Sequence, residues 1–198
     1  MPKPFKIILA SGSPRRQQFF KDFDIENQFD FEIRLKEIEE IYPATLKAEE
    51  ITNYLAELKA AAFEGELSEN EVLITSDTLV WLDGKALGKP KDYDDALSIL
   101  RSLSNATHEV ITSVCFKTST SSETIFEITK VSFRELSDTA IRYYLDNYKP
   151  FDKAGAYGIQ EWIGLIGISK IEGSYTNVVG LPTEKVYEYL THNFLNNL

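Results

Sequence analysis

The chain is almost without sulfur: one methionine and a single cysteine, Cys115, in 198 residues. No internal disulfide can form, and a reducing cytoplasm is the expected setting. Histidine is scarce too, with only His108 and His192, neither in company that could ligate a metal; with no CxxC pair, a zinc site is not expected. There is no GxxxxGK[ST] loop, no GxGxxG and no GxSxG. Walker-type phosphate binding, dinucleotide binding and the serine-hydrolase elbow are therefore excluded. No apolar run approaches the length of a membrane span, and the first residues lack the basic, apolar and small-residue regions of a secretory signal. Positive charge is short as well, 21 Lys and Arg against 31 Asp and Glu, for a net charge of -10. Nucleic acids and anionic membranes need a basic face, so neither is expected as a partner. A small basic pocket is compatible with that balance, because pocket charge and net charge are separate quantities.

What is present is an ordinary globular composition, 43% hydrophobic and 26% charged, long enough for a substantial core. Ile7-Ile8-Leu9-Ala10 reads as a buried strand that ends at Ser11-Gly12. Ser13-Pro14 then opens a helix, serine as N-cap and proline at the first helical position. This places Arg15 and Arg16 in the first turn, where the helix dipole disfavours cations by roughly 0.3–1 kcal/mol each. Two arginines beside open backbone N–H groups suit a polyanion; alternatively, both point outward and pair with surface acids. Phe29, Phe31, Ile33 and Leu35 alternate with polar residues as in a strand, and an acidic turn holds Glu37, Glu39 and Glu40. Ala48–Glu64 has helical spacing, with Lys59 at the edge of its apolar face, where such side chains usually keep the ammonium wet.

Val72–Thr75 reads as a short strand ending at Ser76-Asp77-Thr78, so that Asp77 stands at its C-terminal end, where ligand crevices of α/β sheets lie. A turn or cap role is the alternative. Asp83-Gly84 is a type I′ hairpin pair, and Gly88-Lys89-Pro90 follows the return strand. There Lys89 is either a mobile point charge for phosphate or an ordinary solvated lysine. Asp92 and Ser137 read as helix caps, and two long strands lie near 109–117 and 124–134. Asp152–Gln160 is loop-like and combines small residues with Tyr157 and Gln160, a set able to stack and hydrogen-bond a flat base. Ile163–Ile171 reads as a glycine-punctuated strand, 173–182 as a loop, and the chain ends in a helix bearing Val186, Tyr189, Leu190 and Phe194. Interleaved strands and helices give an α/β class with a mixed sheet.

Six of these blocks, in order, resemble the Maf proteins. They are Leu9–Arg16, Ser76–Thr78, Leu87–Pro90, His108–Thr112, Lys153–Gln160 and Gly173–Pro182, together spanning nearly the whole chain. The resemblance implies an inosine triphosphatase-like architecture, a mixed, elongated twisted sheet flanked by helices. It implies one domain over 1–198, with two lobes and a cleft between them as a variant of that arrangement. It also implies a nucleoside triphosphate pyrophosphatase, which cuts between the α and β phosphates with a divalent cation, Mg²⁺ or Mn²⁺. Carried over residue by residue, the proton acceptor falls on Asp77 and phosphate-side positions on Ser11, Arg15, Arg16 and Lys89, with a further polar position on Lys59. An acidic position falls on Glu40, taken with Asp77 as a ligand for metal or water. Positions tied to base choice fall on Arg15, Thr78 and Gln160. The Ala154–Gln160 form is similar to the branch acting on dTTP and UTP. Glu161-Trp162 departs from the glycine that many relatives carry after Gln160, and this bulky pair is expected to narrow or re-aim the base pocket. Two other readings stay open: a nucleotide-binding regulator of cell division, and a pyrophosphatase for non-canonical purine triphosphates. A homodimer, common among Maf-like proteins, is open too.

Overall fold

The computed structural model describes residues 5–23 and 29–195. Met1–Pro4, which bear on the expected absence of a leader, lie outside them. Among the described residues seven strands, β1 (Lys6–Leu9), β2 (Asp30–Ile33), β3 (Glu71–Leu82), β4 (Lys85–Leu87), β5 (Thr107–Lys117), β6 (Ser122–Phe133) and β7 (Ile168–Glu172), form one sheet in the order β2-β1-β3-β5-β6-β7, with β4 pairing to β3 off that path. The chain divides into two compact units. The first holds Met1–Asp77, Thr112–Phe126 and Gly180–Leu198; the second holds Thr78–Ile111 and Glu127–Val179.

In the first unit β1 (Lys6–Leu9) runs parallel to β2 (Asp30–Ile33) and to β3 (Glu71–Leu82), with Ile7 opposite both Phe31 and Val72. Its three apolar residues are fully buried because both faces are covered, as a parallel strand requires. The faces alternate. Ile7 and Leu9 join Phe20, Ile74, Phe116 and Leu190, while Ile8 joins Ala56, Ala60, Phe63 and Leu73. Helix α1 (Pro14–Asp22) starts as its sequence dictates: Ser13 is the N-cap, its Oγ accepts from Arg16 N at 3.5 Å, and Pro14 occupies the first turn. Helix α2 (Glu49–Ala61) buries Ile51, Leu55, Ala56 and Ala60.

In the second unit β3 turns back through Asp83 and Gly84, at φ 48° and 77°, to the antiparallel β4 (Lys85–Leu87). Two consecutive positive φ angles are what a type I′ turn needs. Asp92 caps α3 (Tyr93–Leu103), accepting from Asp95 N at 2.8 Å, and Ser137 caps α4 (Asp138–Tyr148), accepting from Ala140 N at 3.2 Å. The long strands are β5 (Thr107–Lys117) and β6 (Ser122–Phe133), and both contribute to each unit.

Three expectations are corrected. Ser76-Asp77-Thr78 does not end a strand: β3 runs unbroken for 12 residues. The recorded pairing with β1 stops at Ile74 and that with β4 begins at Val80, so Asp77 sits between two paired runs on a continuous strand. Ile163–Ile171 is not all strand but helix α5 (Trp162–Gly167) followed by β7 (Ile168–Glu172). Ile163 and Gly167, four apart, are the buried pair, and that spacing is helical. The stretch 173–182 contains helix α6 (Tyr175–Val179), whose Asn177 donates to Val110 O and Thr129 Oγ1 at 3.0 and 2.9 Å. The last helix is α7 (Thr183–Leu190), continued by a wider turn over Thr191–Leu195. Among the described residues no helix is long and apolar enough to cross a membrane.

Candidate active site

The first unit gathers six of the nine candidate residues. Lys59 lies in the last turn of α2, where the helix dipole favours a cation. Its Nζ is 2.7 Å from Asp77 Oδ1, 3.0 Å from Glu40 Oε1 and 3.4 Å from Ser76 O. The Lys59 side chain is only 14% exposed, so the expected wet ammonium is corrected: it is drawn in by two carboxylates from a loop and a strand. Asp77 is buried as well, and Glu40 is half open to solvent.

Arg16 completes the charge pattern. Its Nε donates to Gly180 O at 2.8 Å and its guanidinium also donates to Ser76 O at 3.0 Å. Burial pushes this guanidinium below its ordinary pKa, Asp77 pulls it back up, Arg15 pushes it down and Glu40 raises it. An arginine remains charged through such a shift. Arg16 therefore feels the charges of Asp77, Arg15 and Glu40. The planar fork of Arg16 is spent partly on holding two carbonyls and so is fixed in place. Ser11 is buried at the end of β1, its Oγ accepting from Ser13 N at 3.3 Å and its carbonyl accepting from Gln17 Nε2 at 3.0 Å. Gln17 went unnoticed in the sequence; its place one turn after the Ser13 cap was the available signal.

Among the described residues no group of three or more His, Cys, Asp or Glu converges as a ready metal cage. Asp77 and Glu40 nevertheless already share one cation, the Lys59 ammonium, and their hard oxygen donors suit Mg²⁺ or Mn²⁺. Two carboxylates are a sufficient protein contribution where water and substrate phosphates complete the shell.

Thr78, Lys89 and Gln160 belong to the second unit. Thr78 is half-buried on β3, whereas Lys89 and Gln160 are exposed. The Lys89 loop is tied to the turn at Ala154–Ala156 by Gly155 N donating to Gly88 O at 3.1 Å. Gly155 has φ 69°, and a Cβ there would stand 2.7 Å from Val80 Cγ2, so no other residue fits. Gln160 is in a tight turn closed by Glu161 N donating to Gly158 O at 3.0 Å. Its neighbours do not project as a bulky pair. The Glu161 carboxylate turns back to Lys153 and Tyr144, and the Trp162 ring packs at 4.7 Å on Tyr143. His108 is a structural histidine: its Nε2 is 2.7 Å from the Tyr157 hydroxyl, and burial holds its pKa down at about 4.

A dTTP/UTP pyrophosphatase from Flavobacterium psychrophilum is 72% identical over 96% of this chain and 95% of its own length. The protein of the same name from Flavobacterium johnsoniae is 69% identical, again over 96% of this chain and 95% of its own. That from Christiangramia forsetii is 54% identical over 95% and 94%. The model of the family described as Maf-like protein matches residues 6–193. With nearly its whole length matched, this chain belongs to the Maf-like protein family.

Proposed function

We propose that this protein is a nucleoside triphosphate pyrophosphatase that hydrolyses dTTP and UTP to the monophosphate and pyrophosphate. The observation that carries this reading is the meeting of Asp77 and Glu40 on Lys59, beside the fixed Arg16. The base preference rests on the relatives named dTTP/UTP pyrophosphatase.

In this reading Asp77 accepts the proton of the attacking water, which adds in line to the α phosphorus while the bridging oxygen leaves with pyrophosphate. Arg15 and Arg16 stabilise the charge that develops on the phosphate oxygens, Arg16 with little reorganisation because its fork is already anchored. Lys59 and Lys89 add point charges for the triphosphate, and Ser11 a hydroxyl. Thr78 and Gln160 read the base. Asp77 and Glu40 would hold a divalent ion, which would offset phosphate charge and favour ionisation of water. The protein's partner is then a nucleotide, with neither nucleic acid nor membrane, and the cytoplasm is its place.

The test is incubation with dTTP, UTP, CTP, ITP and XTP, each with Mg²⁺, Mn²⁺ or no metal, scored for pyrophosphate. Pyrophosphate released fastest from dTTP and UTP is the expected result. ITP or XTP as the best substrate, or binding with no pyrophosphate from any of them, would overturn the reading.

A further inference from the structure

The turn that carries Gln160 is held from behind by a chain of polar contacts. Gly158 N donates to the Tyr144 hydroxyl at 3.0 Å, and that hydroxyl donates to a Glu161 carboxylate oxygen. The other oxygen of Glu161 faces Lys153 Nζ at 3.1 Å. Tyr144 is fully buried, Lys153 is 11% exposed and Glu161 19% exposed at the side chain, so none of these links is a loose surface pair. Burial, then the Glu161 carboxylate, pushes the Tyr144 hydroxyl far above its ordinary pKa, which keeps it a donor. The carboxylate also lies against the backbone it supports, since a Cβ built on Gly158 would come within 2.8 Å of Glu161 Cδ. Glu161 N in turn closes the turn on Gly158 O. Ile159 points into the core and Gln160 is left as the exposed residue of a turn fixed at both ends.

We infer that Glu161 is a positioning residue for base selection, holding the turn that presents Gln160 through Tyr144 and Lys153. The inference rests on the assignment of Gln160 to the base. An amide that reads a base discriminates better when the backbone that carries it is fixed before the substrate arrives.

The experiment measures kcat and KM for dTTP, UTP and CTP, together with Tm, in Glu161→Ala, Glu161→Gln, Tyr144→Phe and Gln160→Ala. In Glu161→Ala the preference for dTTP over CTP should fall about tenfold, through KM for dTTP rather than through kcat. Glu161→Gln retains an acceptor for the Tyr144 hydroxyl and should keep most of the preference. If Glu161→Ala does not fold, Tyr144→Phe removes the same link with the ring in place and should show the same loss. Unchanged preference in both Glu161→Ala and Tyr144→Phe, while Gln160→Ala loses it, overturns the inference and leaves the role of Gln160 intact. Unchanged preference in Gln160→Ala overturns that role and the inference with it. A lower Tm with unchanged preference marks a purely structural contact and overturns the inference too.

Discussion

The arginine and lysine residues assigned to phosphate differ sharply in how they are held. Arg16 is hydrogen-bonded to two main-chain carbonyls, whereas Lys89 is exposed. Arg16→Ala should therefore cost stability as well as activity, about 2–4 kcal/mol from the two carbonyls left unpaired. Lys89→Ala should reduce kcat/KM about tenfold or more at unchanged stability. Denaturant melts beside steady-state kinetics check both; equal loss of stability in the two variants would contradict the assignment. His108 gives a further residue-scale prediction. Its pKa is depressed from 6.5 to about 4, so the folded state resists the proton that the unfolded chain accepts. The neutral ring's contribution is fully present above 6.5 and is lost as pH falls from there to about 4, in total about 3 kcal/mol. The fall in unfolding free energy between pH 7 and 4.5 should be shallower in His108→Gln than in the parent protein. Equal slopes would mean that the folded ring takes up its proton as readily as the unfolded one.

At the level of the element, what could be read from sequence was what local chemistry decides. Ser13-Pro14 starts α1, Asp83-Gly84 makes the hairpin, and Asp92 and Ser137 cap their helices, each through contacts within four residues. The polar run Ser76-Asp77-Thr78 looked like a terminus but is the middle of β3, because strand pairing from both ends overrides a local turn preference. Helix α5 was hidden by its glycines, which read as strand punctuation. Their reason is tertiary: a Cβ on Gly164 would lie 1.9 Å from Ile159 O, so the helix starts against backbone that only glycine admits. Gly164→Ala should consequently destabilise the protein by roughly 3 kcal/mol or more, far beyond any helix-propensity gain. A thermal melt at or above that of the parent would show that the Gln160 turn can yield.

For the whole molecule, six sequence blocks spread from Leu9 to Pro182 were enough to indicate the family, and the match over residues 6–193 shows it. The partners within the site were not legible, because Lys59 meets Asp77 and Glu40 from 18 and 19 positions away and Arg16 meets Gly180 across 164. Those long-range pairs gather charged side chains at one place in a chain whose net charge is -10. The central claim is hydrolysis by attack of water at the α phosphorus of a pyrimidine triphosphate, with Asp77 as proton acceptor. It is tested most directly by running the reaction with dTTP in isotopically labelled water and locating the label by mass spectrometry, for the parent protein and for Asp77→Asn. The account predicts label in dTMP and none in pyrophosphate, and a fold-competent Asp77→Asn slowed by at least about a hundredfold. Label in pyrophosphate, or an Asp77→Asn variant that turns over at the parent rate, would contradict it.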